Sequence, residues 1–100
     1  MITINVKNKE NYINFVKIKG HANYAEEGFD IVCASVSSIA ITTVNAIIRI
    51  DESAIIYSED DGLLEIKILK YNETINILME NMISMLEELE KQYKKYIEIR

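Results

Sequence analysis

The chain is poor in the residues that interrupt or decorate a fold: it has no proline, three glycines, one cysteine and one histidine among 100 residues. A single thiol excludes an intramolecular disulfide and fits a reducing compartment. One imidazole and one thiol cannot complete a metal site without several carboxylates, and no such cluster has ligand spacing, so no metal or other cofactor is expected. Nor is there a glycine-rich phosphate loop. Basic residues are also scarce, 11 Lys and Arg against 16 Asp and Glu, leaving a net charge of −5. That balance argues against direct binding to nucleic acid, which rests on many Lys and Arg contacts to phosphate, and suits a basic partner. No stretch approaches the roughly 20 apolar residues of a membrane span, and the N-terminal MITINVKNKE lacks a signal-peptide pattern. The expectation is a cytoplasmic protein with no membrane partner. Its length predicts one domain over residues 1–100, and 49% hydrophobic with 27% charged residues is ordinary for a globular chain.

What is present concentrates in one stretch, GHANYAEEGFDIVCASVSS at residues 20–38, which holds both the lone His21 and the lone Cys33. The run that follows, IVCASVSSIAITTVNAII, contains no Gly or Pro and predicts a helix over about residues 31–49 with Asp30 as its N-cap. Cys33 would then be the third helical residue. Unpaired first-turn amides and the positive end of the macrodipole favour a thiolate there, and an imidazolium from His21 would add to that. Such surroundings lower a thiol pKa from about 8.5 to around 3.5–7.5. A thiolate suits nucleophilic acyl transfer, and the same amides are natural oxyanion donors.

Each residue also has a structural reading. A lone cysteine among apolar neighbours is what a small buried hydrophobe looks like, and a lone histidine in a polar loop can simply be solvated. Asp30 can cap the helix without doing chemistry. Ser37, one turn after Cys33, can touch the thiol or bond back to the Cys33 carbonyl. Gly20 and Gly28 can serve only to supply positive φ.

The pieces Gly20-His21-Ala22, Gly28 and Asp30-Ile31-Val32-Cys33-Ala34-Ser35-Val36-Ser37 resemble the signature of the ribosomal-processing cysteine protease family, and the similarity covers essentially the whole chain. The resemblance implies a Cys/His endopeptidase with no cofactor. It would remove a short N-terminal extension from large-subunit ribosomal protein number twenty-seven. Carried over, Cys33 is the nucleophile and His21 its base, with Gly20, Asp30 and Ser37 as supporting motif positions. The resemblance further implies a hydrophobic cleaved segment ending in aromatic residues, and a homodimer. Tyr24, Phe29 and Tyr57 are candidate walls for that segment, and the loop from Gly20 to Phe29 would move to admit it. A reading of another class is a non-catalytic ribosome-associated module that binds the same basic protein through an acidic surface.

Along the chain, MITINV alternates as a half-buried strand, and YINFVKIK holds a second alternation through Ile13, Phe15 and Ile18 with an irregularity, together a hairpin. The first helix is apolar on more than one side, and Val36, Ile39, Ala40, Val44, Ile47 and Ile48 predict burial over most of its circumference. AIIYS and LLEIKIL read as strands joined by Asp60-Asp61-Gly62, a strong hairpin signal. A long helix begins at Asn72 or Thr74, with Ile75, Met79, Met82, Met85 and Leu86 on one stripe and Glu87/Lys91 and Glu90/Lys94 pairs on the other. The closing YIEIR alternates again. The order is ββαββα with a possible final β. That predicts a small α+β domain, two-layer or sandwiched, with a mostly antiparallel sheet and two helices.

Overall fold

A computed structural model describes residues 1–20 and 29–100, with the side chains of Phe29 and Asp30 left aside. Five strands and two helices follow in the expected order: β1 (Ile2–Lys9), β2 (Tyr12–Lys19), α1 (Phe29–Asp51), β3 (Ile55–Asp60), β4 (Leu63–Ile68), α2 (Glu73–Gln92) and β5 (Ile97–Ile99). The sheet order is β3-β4-β2-β1-β5, and every pairing is antiparallel except β1 with β5. The fold is α+β, as expected.

Chain connectivity explains why two layers form and not a sandwich. β2 and β3 run parallel, as do β4 and β5, so α1 and α2 are both crossover connections. One crossover steps toward the β3 edge and the other, from a strand of opposite direction, steps toward the β5 edge. Right-handed crossovers with those opposed steps put both helices on the same face. That face is lined by Ile4, Val16, Ile18, Leu64 and Ile66, while Thr3, Asn5, Lys17, Glu65 and Lys67 alternate onto the other.

Because α1 packs on one side only, its burial is a stripe: Val32, Val36, Ala40, Val44 and Ile47, at spacings of four and three, are inaccessible to solvent or nearly so. The expectation of burial around most of its circumference fails here, and Ile48 faces solvent. The same helix with its following turn, Ile31–Ala54, is by length and composition apolar enough to cross a membrane, contrary to the expectation that no stretch approaches such a span. Its buried stripe is packed on the sheet.

α2 contributes Ile75, Met79, Met82 and Leu86 to the core, with Met85 just outside the stripe and exposed. Asn72 caps it, its side chain accepting from the Ile75 N–H at 3.0 Å. One turn on, Asn76 Oδ1 accepts from the backbone N–H of Ile13 at 3.1 Å, tying α2 to β2. The paired charges expected on the outer face are arranged differently: Lys91 meets Glu88 at 3.8 Å, and Glu90 Oε2 accepts from the Ile99 N–H at 2.8 Å.

The irregularity in β2 is a bulge. The register passes from Lys7↔Phe15 to Asn8↔Ile13, leaving Asn14 unmatched. Ile13, Val16 and Ile18 point into the core, while Phe15 turns outward beneath the Lys7 ammonium, 5.6 Å from the ring centroid. The hairpin closes through Glu10 at φ 57°, left-handed backbone in which a Cβ is costly. Asparagine tolerates that region better, so Glu10→Asn is expected to raise stability by about 0.5–1 kcal/mol in urea unfolding. An unchanged or lower midpoint would show that the turn carries no such strain.

Candidate active site

The site forms at the end of the sheet where β2 and β3 finish and α1 begins. Two glycines make the joint. The Gly20 N–H donates to the Gly62 carbonyl at 2.9 Å, fastening the end of β2 to the β3–β4 turn. A Cβ on Gly20 would lie 2.8 Å from the Ile2 Cα and 3.1 Å from the Met1 carbonyl oxygen. Close backbone approach, not positive φ, therefore explains this glycine; the left-handed glycine is Gly62, at φ 72° in its turn. The next residue, His21, lies outside the described residues, as do Tyr24, Gly28 and the expected movement of the loop.

Cys33 enters from α1. The described part of the helix runs from Phe29, so Asp30 lies inside the helix and is not its N-cap, and Cys33 stands at least a full turn in. The side chains of Asp30 and Phe29 lie outside the described residues. This start changes the expected electrostatics. The macrodipole acts mainly within the first turn, where the unpaired amides also lie. Cys33 stands in the second turn, with its own N–H already inside the helix ladder, so the helix end favours its thiolate less than the expected position would.

The Cys33 side chain is half-buried and stands at the wall of a cavity of about 480 Å³. Ser37, one turn further, is exposed on the same wall, and Gly20 borders it. Apolar contacts come from Ile2, Ile18, Val36 and Leu64. The facing wall is the β3–β4 turn, Glu59 through Leu63. The sequence marked Asp60-Asp61-Gly62 only as a hairpin, and its role as a wall was missed. The signal lay in the pairing it implies, since a turn joining strands beside β2 must stand near the end of β2.

Tyr57, expected at the wall, packs against the core and is not among the residues lining this cavity. Its hydroxyl donates to Glu59 Oε2 at 3.1 Å. Burial and then the adjoining Glu59 carboxylate hold the phenol above its ordinary pKa, so it is a neutral donor near pH 7 and steadies Glu59 at the cavity. Among the described residues, no group of three His, Cys, Asp or Glu is placed to hold a metal ion.

A thiol set into the wall of a peptide-sized cleft, on a helix anchored to a sheet, has the layout of a small thiol hydrolase. Residues 1–98 match the family described as cysteine protease Prp, and the chain belongs to that family of cysteine proteases. It is 31% identical over 103 residues to the ribosomal processing cysteine protease Prp of Staphylococcus aureus, covering 99% of this chain and 97% of that one. The Bacillus subtilis protein of the same name is 32% identical over 90 residues, covering 83% and 80%. The Staphylococcus aureus protease in complex with a substrate peptide matches at TM-score 0.91 and 30% identity, over 100% of this chain and 98% of that one. Its complex with a covalently linked product peptide matches at 0.87 and 31%, over the same shares.

The Gly20 joint is open to a direct check. Gly20→Ala is expected to cost about 1–3 kcal/mol in urea unfolding, the range for overpacking at a tight contact. Ile2→Ala should not rescue it, because the nearest atom is the Ile2 backbone. Unchanged stability in Gly20→Ala would mean that the approach relaxes freely.

Proposed function

We propose that this protein is the endopeptidase that removes the N-terminal extension of large-subunit ribosomal protein number twenty-seven, with Cys33 as nucleophile and His21 as base. The carrying observation is the half-buried Cys33 at the wall of the cavity, in a chain whose Staphylococcus aureus relative was solved with a covalently linked product peptide. No other thiol exists in the chain.

In this reading His21 withdraws the Cys33 proton, and the thiolate attacks the scissile carbonyl carbon. The resulting oxyanion is held by amides of the first turn of α1. Collapse expels the new amine, which takes the proton back from His21 and leaves a thioester on Cys33. Water, activated by His21, then releases the acid and restores the thiol. The Gly20 tether supports the pairing, since it fixes the backbone one residue before His21 at the cavity that Cys33 lines. Ser37 supports the same wall. The substrate implies action in the cytoplasm, where ribosomal proteins are made, and the family resemblance implies a homodimer.

The test is mass spectrometry of a peptide spanning the extension and the first mature residues, incubated with the parent, Cys33→Ala and His21→Ala. One specific cut by the parent, none by Cys33→Ala and at least a hundredfold slower cutting by His21→Ala is the expected pattern. Reproducible binding with no cut by any form would overturn the peptidase assignment for this substrate and favour a ribosome-associated binding module.

A further inference from the structure

We propose that the outer face of the sheet, the one turned away from both helices, binds single-stranded RNA, with Phe15 as a stacking platform between lysines. The inference goes beyond the peptidase reading and does not rest on it.

The net charge of −5 describes the whole molecule and not this face. α2 alone carries five glutamates against one lysine, whereas β1 and β2 carry four lysines and no carboxylate. Alternation places Lys7, Lys17 and Lys19 on the outer face, and Lys67 joins them from β4. None of these four is in an ion pair among the described residues. Glu65 stands opposite Lys17, Asp60 lies at the far end of β3, and Glu98 at the other edge is held by Arg100 at 2.6 Å. The middle of the face is therefore positive. The expectation that the chain does not touch nucleic acid comes from the sum of its charges, and the sum hides how the fold sorts them.

The uncharged residues of the face favour RNA over other anionic partners. The register sets Ile56, Lys67, Phe15 and Lys7 in one row across β3, β4, β2 and β1. The half-buried Phe15 ring stands between two lysines, with the Lys7 Nζ 5.6 Å from its centroid. An aromatic ring on which a base can stack, with cations on both sides for phosphates, is the composition of a surface for unpaired bases. Thr3, Asn5 and Ser58 on the same face add short hydrogen-bonding groups of the kind that meet base edges and 2′-hydroxyls. A membrane surface fits less well, because Ile56, at 52% exposure, is the only large apolar side chain of the face open enough to insert. An acidic polypeptide would meet the lysines and make no use of the ring. The cleft lies on the helix side at the end of the sheet, so RNA on the outer face leaves Cys33 open. A protease acting on a ribosomal protein meets its substrate beside RNA, and this face would hold it there.

The experiment measures the fluorescence anisotropy of a labelled oligouridylate of about twelve nucleotides titrated with the full chain, between about 50 and 200 mM salt. Three or four lysine–phosphate contacts on a single strand predict that affinity falls by about twentyfold to fiftyfold across that range. K7Q, K17Q, K19Q and K67Q combined should weaken binding at least tenfold at low salt and flatten the salt dependence. F15L keeps an apolar side chain and loses the stacking ring, so it should weaken binding about fivefold or more while keeping the salt dependence. K91Q, K94Q and K95Q combined remove charge elsewhere and should bind as the parent does; thermal unfolding confirms the fold of each variant. No binding by the parent at low salt, or a loss in the control as large as in the quadruple variant, overturns the proposal. Binding that F15L leaves intact, and that polyglutamate of equal length displaces as well as unlabelled RNA does, overturns it in favour of an acidic polypeptide. Binding is read without cleavage, so failure of the peptidase assignment leaves these results standing, and their failure leaves the peptidase standing.

Discussion

The site depends on one close contact between backbones. Gly20 lies where a Cβ would meet the Ile2 Cα at 2.8 Å, and its N–H is bound to the Gly62 carbonyl. Three segments far apart in sequence meet there: the start of β1, the end of β2 and the β3–β4 turn. With the joint closed, the turn faces α1 across a cleft. A side chain at residue 20 would push the segments apart, and the wall would move away from Cys33. The joint also sets the point from which the chain leaves toward residue 21, so the surroundings of Cys33 and that departure are set by one contact.

The remainder of the fold serves to hold the two sides of that cleft rigid. α1 presents Cys33 in its second turn, with Val32 and Val36 on either side of it fully buried against the sheet. A helix anchored at positions next to the nucleophile has little freedom to rotate, and orientation is what a nucleophile most needs from its scaffold. The opposing turn is steadied by the ladder of β4 with both β2 and β3, and by the Tyr57–Glu59 bond. Placing both helices on one face leaves the outer face polar and concentrates the packing where the cleft is built.

Much of this was legible in residues. Ile2 and Ile4 announced β1, Asp61-Gly62 announced the second hairpin, and the Ile75 to Leu86 stripe announced α2, because each is a local pattern with a local cause. The place of Cys33 at a cleft beside Gly20 was legible as chemistry, since scarcity made the thiol conspicuous. What escaped was set by distant contacts. Asp30 looked like a cap because caps are recognised by residue type, yet it already lies inside the helix. Phe15 looked inward because a bulge at Asn14 is invisible in alternation alone. The reason for Gly20 lay in Ile2, 18 positions away, where no local rule could find it.

The helix start bears on how Cys33 is activated. A thiol in the first turn could draw on the macrodipole; one in the second turn draws much less. The carboxylates across the cleft act in the other direction, because a second anion in a confined space is opposed by the first. The balance therefore falls to cations outside the helix, and the chain has one imidazole to supply. If His21 is the base proposed above, its task is then more than to accept a proton, since its imidazolium is the charge that would offset the negative wall while the thiolate exists.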